Sequence, residues 1–161
     1  MKRGDNVRRL QDAVEAYLTG LRLIRGTGGG TSETSYYAPL ERLLNTIGGN
    51  LKPKMFCVSQ LADQGAGHPN FGLFTATQCQ KGTPKKGQIP ERGVIEVKGS
   101  KDDTWLTAGT EQISKYWEKY RLVLVTNYRD FLLIGEDGKG RPANLESFRL
   151  ANSESEFWSR L

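Results

Sequence analysis

The chain has 161 residues, 37% of them apolar, enough for one domain with a real core and too few for two ordinary ones. No apolar run approaches the roughly 18 residues of a membrane span, and Met1-Lys2-Arg3-Gly4-Asp5 leads into an amphipathic segment rather than a signal peptide, so the chain reads as intracellular. The 23 Lys and Arg against 18 Asp and Glu leave a net charge of +5, which permits an anionic partner such as nucleic acid and is equally met by a solvated basic surface.

From Val7 to about Arg25, apolar residues at Val7, Leu10, Val14, Tyr17, Leu18, Leu21 and Ile24 follow helical spacing, with arginines on the other face. Gly26-Thr27-Gly28-Gly29-Gly30-Thr31 ends that helix. It lacks the GxxxxGK[ST] pattern of a phosphate-binding loop and reads as a flexible linker. A second helix is expected from about Tyr37 to Ile47, with Leu40, Leu43, Leu44 and Ile47 on one stripe and Gly48-Gly49 as its stop. Strands are expected at about Lys54 to Ser59, Phe71 to Thr77, Val94 to Lys98, Leu122 to Thr126 and Phe131 to Gly135, with a helix from about Thr110 to Tyr120 between the third and fourth. This order describes one α/β domain with a central mixed sheet.

Cys57 and Cys79 are isolated and read as structural thiols. Gln78 to Arg92 is long and basic, a surface insertion whose Lys81, Lys85 and Lys86 are either solvated or in reach of phosphate. The tail Ser153-Glu154-Ser155-Glu156-Phe157-Trp158 starts a further helix, and its two aromatics suggest a partner within a larger parent protein.

One stretch carries chemistry. Gly93-Val94-Ile95-Glu96-Val97-Lys98-Gly99 reads as a buried strand, yet it holds an acid and a base two residues apart. Side chains alternate along a strand, so Glu96 and Lys98 share a face with Val94 while Ile95 and Val97 point the other way. A buried charge is costly unless paired or metal-bound, so the two form either an ion pair or a site. Pro69 and Asn70 stand at the mouth of the strand expected to pair with this one. On the helix from about Thr110 to Tyr120, Gln112 and Tyr116 lie four residues apart on one face.

With an aspartate in place of Asn70, this pattern would be the signature of the PD-(D/E)xK nuclease superfamily, which the chain resembles. The resemblance extends over most of the chain to the N-terminal nuclease domain of single-chain restriction-modification enzymes of the type ISP and type IIG kind. It is carried by Thr31-Ser32-Glu33-Thr34-Ser35, by Gly65-Ala66-Gly67-His68-Pro69-Asn70-Phe71-Gly72-Leu73-Phe74 and by Glu91 to Gly99. Gln112-Ile113-Ser114-Lys115-Tyr116 and Val123 to Phe131 complete it.

The resemblance implies Mg²⁺-dependent cleavage of double-stranded DNA, with Mn²⁺ able to substitute, in a prokaryotic cytoplasm. It also implies further domains in the parent polypeptide and a transient dimer for double-strand cutting. A hard cation suits the reaction because it stabilises charge on the phosphoryl group and activates water. The implied ligands are position 70, Glu96, the backbone carbonyl of Val97, and Glu33 as an extra acid, with Glu41 a weaker candidate. Glu33 is alternatively a helix N-terminal acid favoured by the dipole. Lys98 would orient water or stabilise developing charge. Gln112 and Tyr116 resemble the QxxxY element of the RecB-like branch and, with Lys101, would touch DNA backbone. His68 reads as loop geometry and Thr126-Asn127 as structure. Asn70 departs from the pattern: an amide keeps the shape but removes a full charge, so metal binding should be weak. Either a deliberate Asp-to-Asn change or natural degeneration toward a DNA-binding module accounts for it.

Overall fold

The computed structural model describes residues 3–30 and 33–161; Thr31 and Ser32, the end of the expected linker and the start of the Thr-Ser-Glu motif, lie outside them. Helix α1 (Arg3–Gly26) is followed by a single 3-10 turn (Thr34–Tyr36), α2 (Tyr37–Asn50), β1 (Met55–Ser59) and β2 (Phe71–Thr75). A two-stranded ribbon, β3 (Cys79–Gln80) and β4 (Thr83–Pro84), precedes β5 (Val94–Val97), α3 (Thr104–Ala108) and α4 (Glu111–Tyr120). The chain continues through β6 (Val123–Thr126), β7 (Asp130–Glu136), β8 (Pro142–Arg149) and α5 (Glu154–Arg160).

Six strands form one sheet in the order β1-β2-β5-β6-β7-β8. β5 and β6 run parallel, joined by the crossover that contains α3 and α4, and every other neighbouring pair is antiparallel. The mixed α/β sheet expected from the element order is thus what forms. β5 is central and buried along its whole length, which is why its residues read as a near-continuous apolar run.

The alternation along β5 divides the core as the spacing requires. Ile95 and Val97 join Tyr17, Leu21, Leu40, Leu43, Phe71 and Tyr128 under α1 and α2, whereas Val94 packs with Val123, Val125 and the α4 residues Ile113, Tyr116 and Trp117. Glu96, two residues after Val94, therefore faces α4.

Several boundaries differ from the sequence reading for identifiable reasons. α1 begins at Arg3, before the first apolar position of its stripe. α2 runs through Gly48-Gly49 to Asn50, so those glycines do not stop it. A Cβ at Gly48 would stand 2.4 Å from the Met55 carbonyl oxygen, so the first of them lets the helix lie on β1. β2 ends at Thr75, where a capped 3-10 turn (Ala76–Gln78) takes over. β8 escaped notice because it is an exposed edge strand with a polar sequence and no alternation to read, and it begins with a proline as edge strands permit.

The tail aromatics find their partners within the chain. Phe157 is buried in the core, while Trp158 stacks beside Tyr36 with the Arg25 guanidinium over its ring. Cys57 and Cys79 are free thiols; burial, helped by the Glu41 charge, pushes Cys57 far above the ordinary thiol range.

Gly93 sets where β5 begins. Its φ is +98°, and a Cβ there would meet the Leu122 carbonyl oxygen at 2.3 Å. Gly93→Ala is expected to destabilise the chain by at least about 2 kcal/mol, from left-handed strain plus the clash, read as a lowered midpoint in urea unfolding.

Candidate functional site

The site forms where β2 departs from β5. Beyond Phe71 the β2 backbone turns away, the Asn70 carbonyl accepting from the Gln60 amide, and the Asn70 side chain takes over the ladder. Its Oδ1 accepts the Val97 N–H at 2.6 Å, so the amide replaces a backbone rung. Its Nδ2 then faces α2 and donates to the Tyr37 hydroxyl at 2.6 Å. Tyr37 spends its own proton on Glu33, 3.0 Å to Oε1. A hydroxyl has one proton, so with Glu33 accepting it, the group at position 70 must donate. The Tyr128 hydroxyl, reaching up from the β6–β7 turn, donates to the Glu33 carbonyl and fixes the far end of this relay.

Tyr37 was not singled out from the sequence, although the spacing of Glu33 and Tyr37 by four residues was a readable hint. Its phenol is held well above the usual range, first by burial and then by the hydrogen bond and charge of Glu33, with Glu96 adding to it. Glu33 sits at the start of the 3-10 turn but makes no side-chain cap; its carboxylate serves Tyr37. Glu41 lies outside the relay, accepting the Ser59 N–H at the end of β1.

On the α4 face of β5, Glu96 is 2% exposed and Lys98 donates to its Oε1 at 2.6 Å. The second carboxylate oxygen, Oε2, is buried with no hydrogen-bond partner. Burial raises the Glu96 pKa, the Lys98 hydrogen bond and charge oppose the rise, and the charge of Glu33 adds to it. For Lys98 burial works downward, but the hydrogen bond and charge of Glu96, aided by Glu33 and Asp102, prevail and hold the ammonium above the ordinary lysine range. The charge of Glu33 thus bears on both members of the pair without forming a contact with either.

α4 closes the other side. Gln112 donates to the Tyr116 hydroxyl at 2.8 Å, and the buried Tyr116 ring packs against Gly67 of the loop before Asn70. That loop is shaped by Asp63, whose carboxylate accepts the N–H groups of Gly65 and Gly67 at 2.7 and 2.9 Å and is held below its ordinary pKa by them. An Asp two residues before a Gly is a turn signal, and it was passed over. His68 is exposed and lines a cleft of about 560 Å³ with Glu33, Tyr37, Gln60, Pro69 and Asn70. Lys101 lies beyond β5 on an exposed turn, where its charge acts on Glu154 of α5. Thr126 and Asn127 are buried and spend their side chains on the β6–β7 turn and the Asp102 carbonyl.

As it stands, this donor set does not fit Mg²⁺ or Mn²⁺. Such ions need several oxygen ligands with net negative charge, and among the described residues no three His, Cys, Asp or Glu side chains gather in a way that could hold a metal. The Asn70 oxygen is committed to Val97, and the open oxygen of Glu96 is left without a second charged ligand beside it.

Removing the cation from the buried pair tests this electrostatic arrangement. Lys98→Met is expected to cost about 1–3 kcal/mol near neutral pH, below the roughly 3–5 kcal/mol of a fully buried pair because the Lys98 side chain is 32% exposed. Since the Lys98 pKa is raised, the pair's contribution is present below the ordinary lysine range and fades as pH rises through the raised value. Since the Glu96 pKa is also raised, the charge on its carboxylate opposes folding, and that cost disappears as pH falls through it. The gap between the parent chain and Lys98→Met should therefore narrow as the pH is lowered, as urea unfolding at pH 8 and pH 5 would show; a constant gap would exclude charge as its origin.

No protein-family model matches the chain, and no curated protein is significantly similar to it in sequence. Among solved structures, the cryoEM structure of a DrdV-DNA complex matches over 94% of this chain and 93% of that chain, with a TM-score of 0.62 at 15% sequence identity. At that identity the likeness is one of fold: the chain has the restriction-endonuclease-like arrangement of a central mixed sheet flanked by helices, with Asn70, Glu96, Lys98, Gln112 and Tyr116 at the edge where its β2 and β5 part.

Proposed function

We propose that the chain is a DNA-binding domain of endonuclease type whose phosphodiester-hydrolysing site is switched off by the amide at position 70. The observation that carries this reading is the buried Glu96 carboxylate, paired with Lys98 through one oxygen and without a protein partner on the other, its charge acting on both Tyr37 of the Asn70–Tyr37–Glu33 relay and Tyr116 of the Gln112–Tyr116 pair. A buried carboxylate oxygen without a protein partner leaves room for a cation or a water, which phosphodiester hydrolysis needs. The DNA in the DrdV complex supports DNA as the partner. In the proposed setting the domain works beside further domains of a restriction-modification polypeptide in a prokaryotic cytoplasm, pairs transiently to cut both strands, and leaves choice of target sequence to those other domains.

A second reading is favoured by the relay itself. The Asn70 amide is matched on both sides, accepting from Val97 and donating to Tyr37, as in a site settled into holding DNA without cutting it.

Asn70→Asp separates the two. The substitution replaces the donor facing Tyr37 by an acceptor, so two carboxylates compete for one hydroxyl proton and one is released toward a cation. The Asn70→Asp chain should be about 1–2 kcal/mol less stable than the parent without metal, and thermal unfolding should show millimolar Mg²⁺ restoring it while leaving the parent unmoved. In a plasmid nicking assay with Mg²⁺ or Mn²⁺, the parent chain should be inert, Asn70→Asp should cut, and adding Lys98→Ala should abolish cutting. An Asn70→Asp chain that binds duplex DNA but neither gains metal-dependent stability nor cuts would establish the binding-module reading.

A further inference from the structure

The segment between β2 and β5 carries a surface that the cleft does not use. Residues 78–92 hold Lys81, Lys85, Lys86 and Arg92 against Glu91 alone, so four cations less one acid place +3 of the chain's +5 in fifteen residues. All four cations are exposed, and among the described residues none of them forms an ion pair. Lys85 Nζ touches only a carbonyl, that of Thr77 at 2.9 Å, and the single acid is turned toward the Thr75 hydroxyl. Cations left in this way on an ordinary solvated surface would be interspersed with acids.

This segment is attached to the site. Gln64, in the loop before Asn70, donates to the Gln88 carbonyl at 3.3 Å. Gly87 to Glu91 form one wall of a cleft of about 520 Å³ whose other wall is Lys119, Tyr120 and Arg121, the C-terminal end of the helix that carries Gln112 and Tyr116. Lys119 also lies over Gly65 of the loop packed on Tyr116. Lys119 and Arg121 at the end of α4 thus stand across this cleft from the segment that leads back to the β3–β4 ribbon. At the ribbon's tip, Lys81 and Gly82 both have positive φ, 51° and 78°, a two-residue hairpin turn whose first position favours Asn, Asp or Gly. A lysine occupies it nonetheless.

We propose that the β3–β4 ribbon and the end of α4 grip the sugar-phosphate backbone of double-stranded DNA beside the phosphodiester presented to Glu96 and Lys98. This rests on the endonuclease-type reading above and extends its footprint along the duplex. Lysines on a ribbon act as point charges that hold phosphates without reading bases, so the contact fixes register and adds sequence-independent affinity. Continuity with a phosphodiester site favours nucleic acid over an anionic membrane, and no helix lies between Cys79 and Gly93 to enter a headgroup layer.

The test is fluorescence anisotropy with a labelled duplex of about two helical turns, titrated across salt concentrations in EDTA. It compares the parent chain with Lys81→Asn/Lys85→Gln/Lys86→Gln and with a charge-matched control, Arg8→Gln/Lys52→Gln/Lys139→Gln. Asn suits the backbone at position 81 better than Lys, so a loss of binding cannot be put down to a misfolded turn. The ribbon variant should bind at least about tenfold more weakly at low salt and lose about 2 to 3 units from the slope of log K against log salt, near 0.9 per phosphate contact. The control should keep most of its slope. Duplex binding by the ribbon variant with an unchanged slope, or an equal loss in the control, overturns the ribbon contact and leaves the DNA reading intact. No duplex binding by the parent chain overturns both.

Discussion

A carboxylate on the central strand of a sheet, 2% exposed, must be neutralised where it stands, and most of what surrounds β5 follows from that requirement. Lys98 does it from the same face of the strand two residues on, its backbone N–H still bonded to the Thr126 carbonyl of β6. α4 then faces the pair with a polar edge on an apolar helix, Gln112 and Tyr116 bonded to each other above Ile113 and Trp117. On the other side, the Glu33 charge is near enough to press on both members of the pair, and it is moderated by the Tyr37 proton. A local ion pair on one strand thus explains why polar groups from α2, the β1–β2 loop and α4 meet at one end of an otherwise apolar sheet.

Much of this was legible in residue order, and the parts that were not share a cause. The two faces of β5 followed from a period of two, and α4 fell within the helix expected from about Thr110 to Tyr120, with Gln112 and Tyr116 on one face. β8 could not be read in the same way because its side chains are mostly in water, and water imposes no period. Gly48 resembled a helix stop because a glycine needed for close approach to Met55 is indistinguishable, in sequence, from one that ends a helix. In the site, Glu96 and Lys98 were found because their partnership spans two residues. Tyr37 was not, because its bond to Asn70 spans 33 residues and the Tyr128 bond to Glu33 spans 95. Hydroxyl partnerships of that range leave no local pattern.

Position 70 shows how much a single atom decides. Amide and carboxylate have the same shape, and either can accept from the Val97 N–H. Only the amide can also donate to a tyrosine whose proton is already given away. The same choice that completes the hydrogen-bond relay removes the charge a divalent ion would need, so satisfaction of the local network and competence for metal are alternatives at this residue.

The topology also divides the site between two lengths of chain. Glu96, Lys98, Gln112 and Tyr116 belong to one continuous β5–α3–α4 crossover, while Glu33, Tyr37 and Asn70 come from the segment before it. The ladder between the two halves is short: Phe71 opposite Ile95 and Gly72 opposite Val94, carried on at one end by Leu73 with Gly93 and Arg92 and at the other by the Asn70 side chain. Each half can therefore vary through descent almost independently of the other. A lineage can exchange amide and acid at position 70 by one base change, and with them the direction of the hydrogen bond to Tyr37, while the crossover half stays untouched.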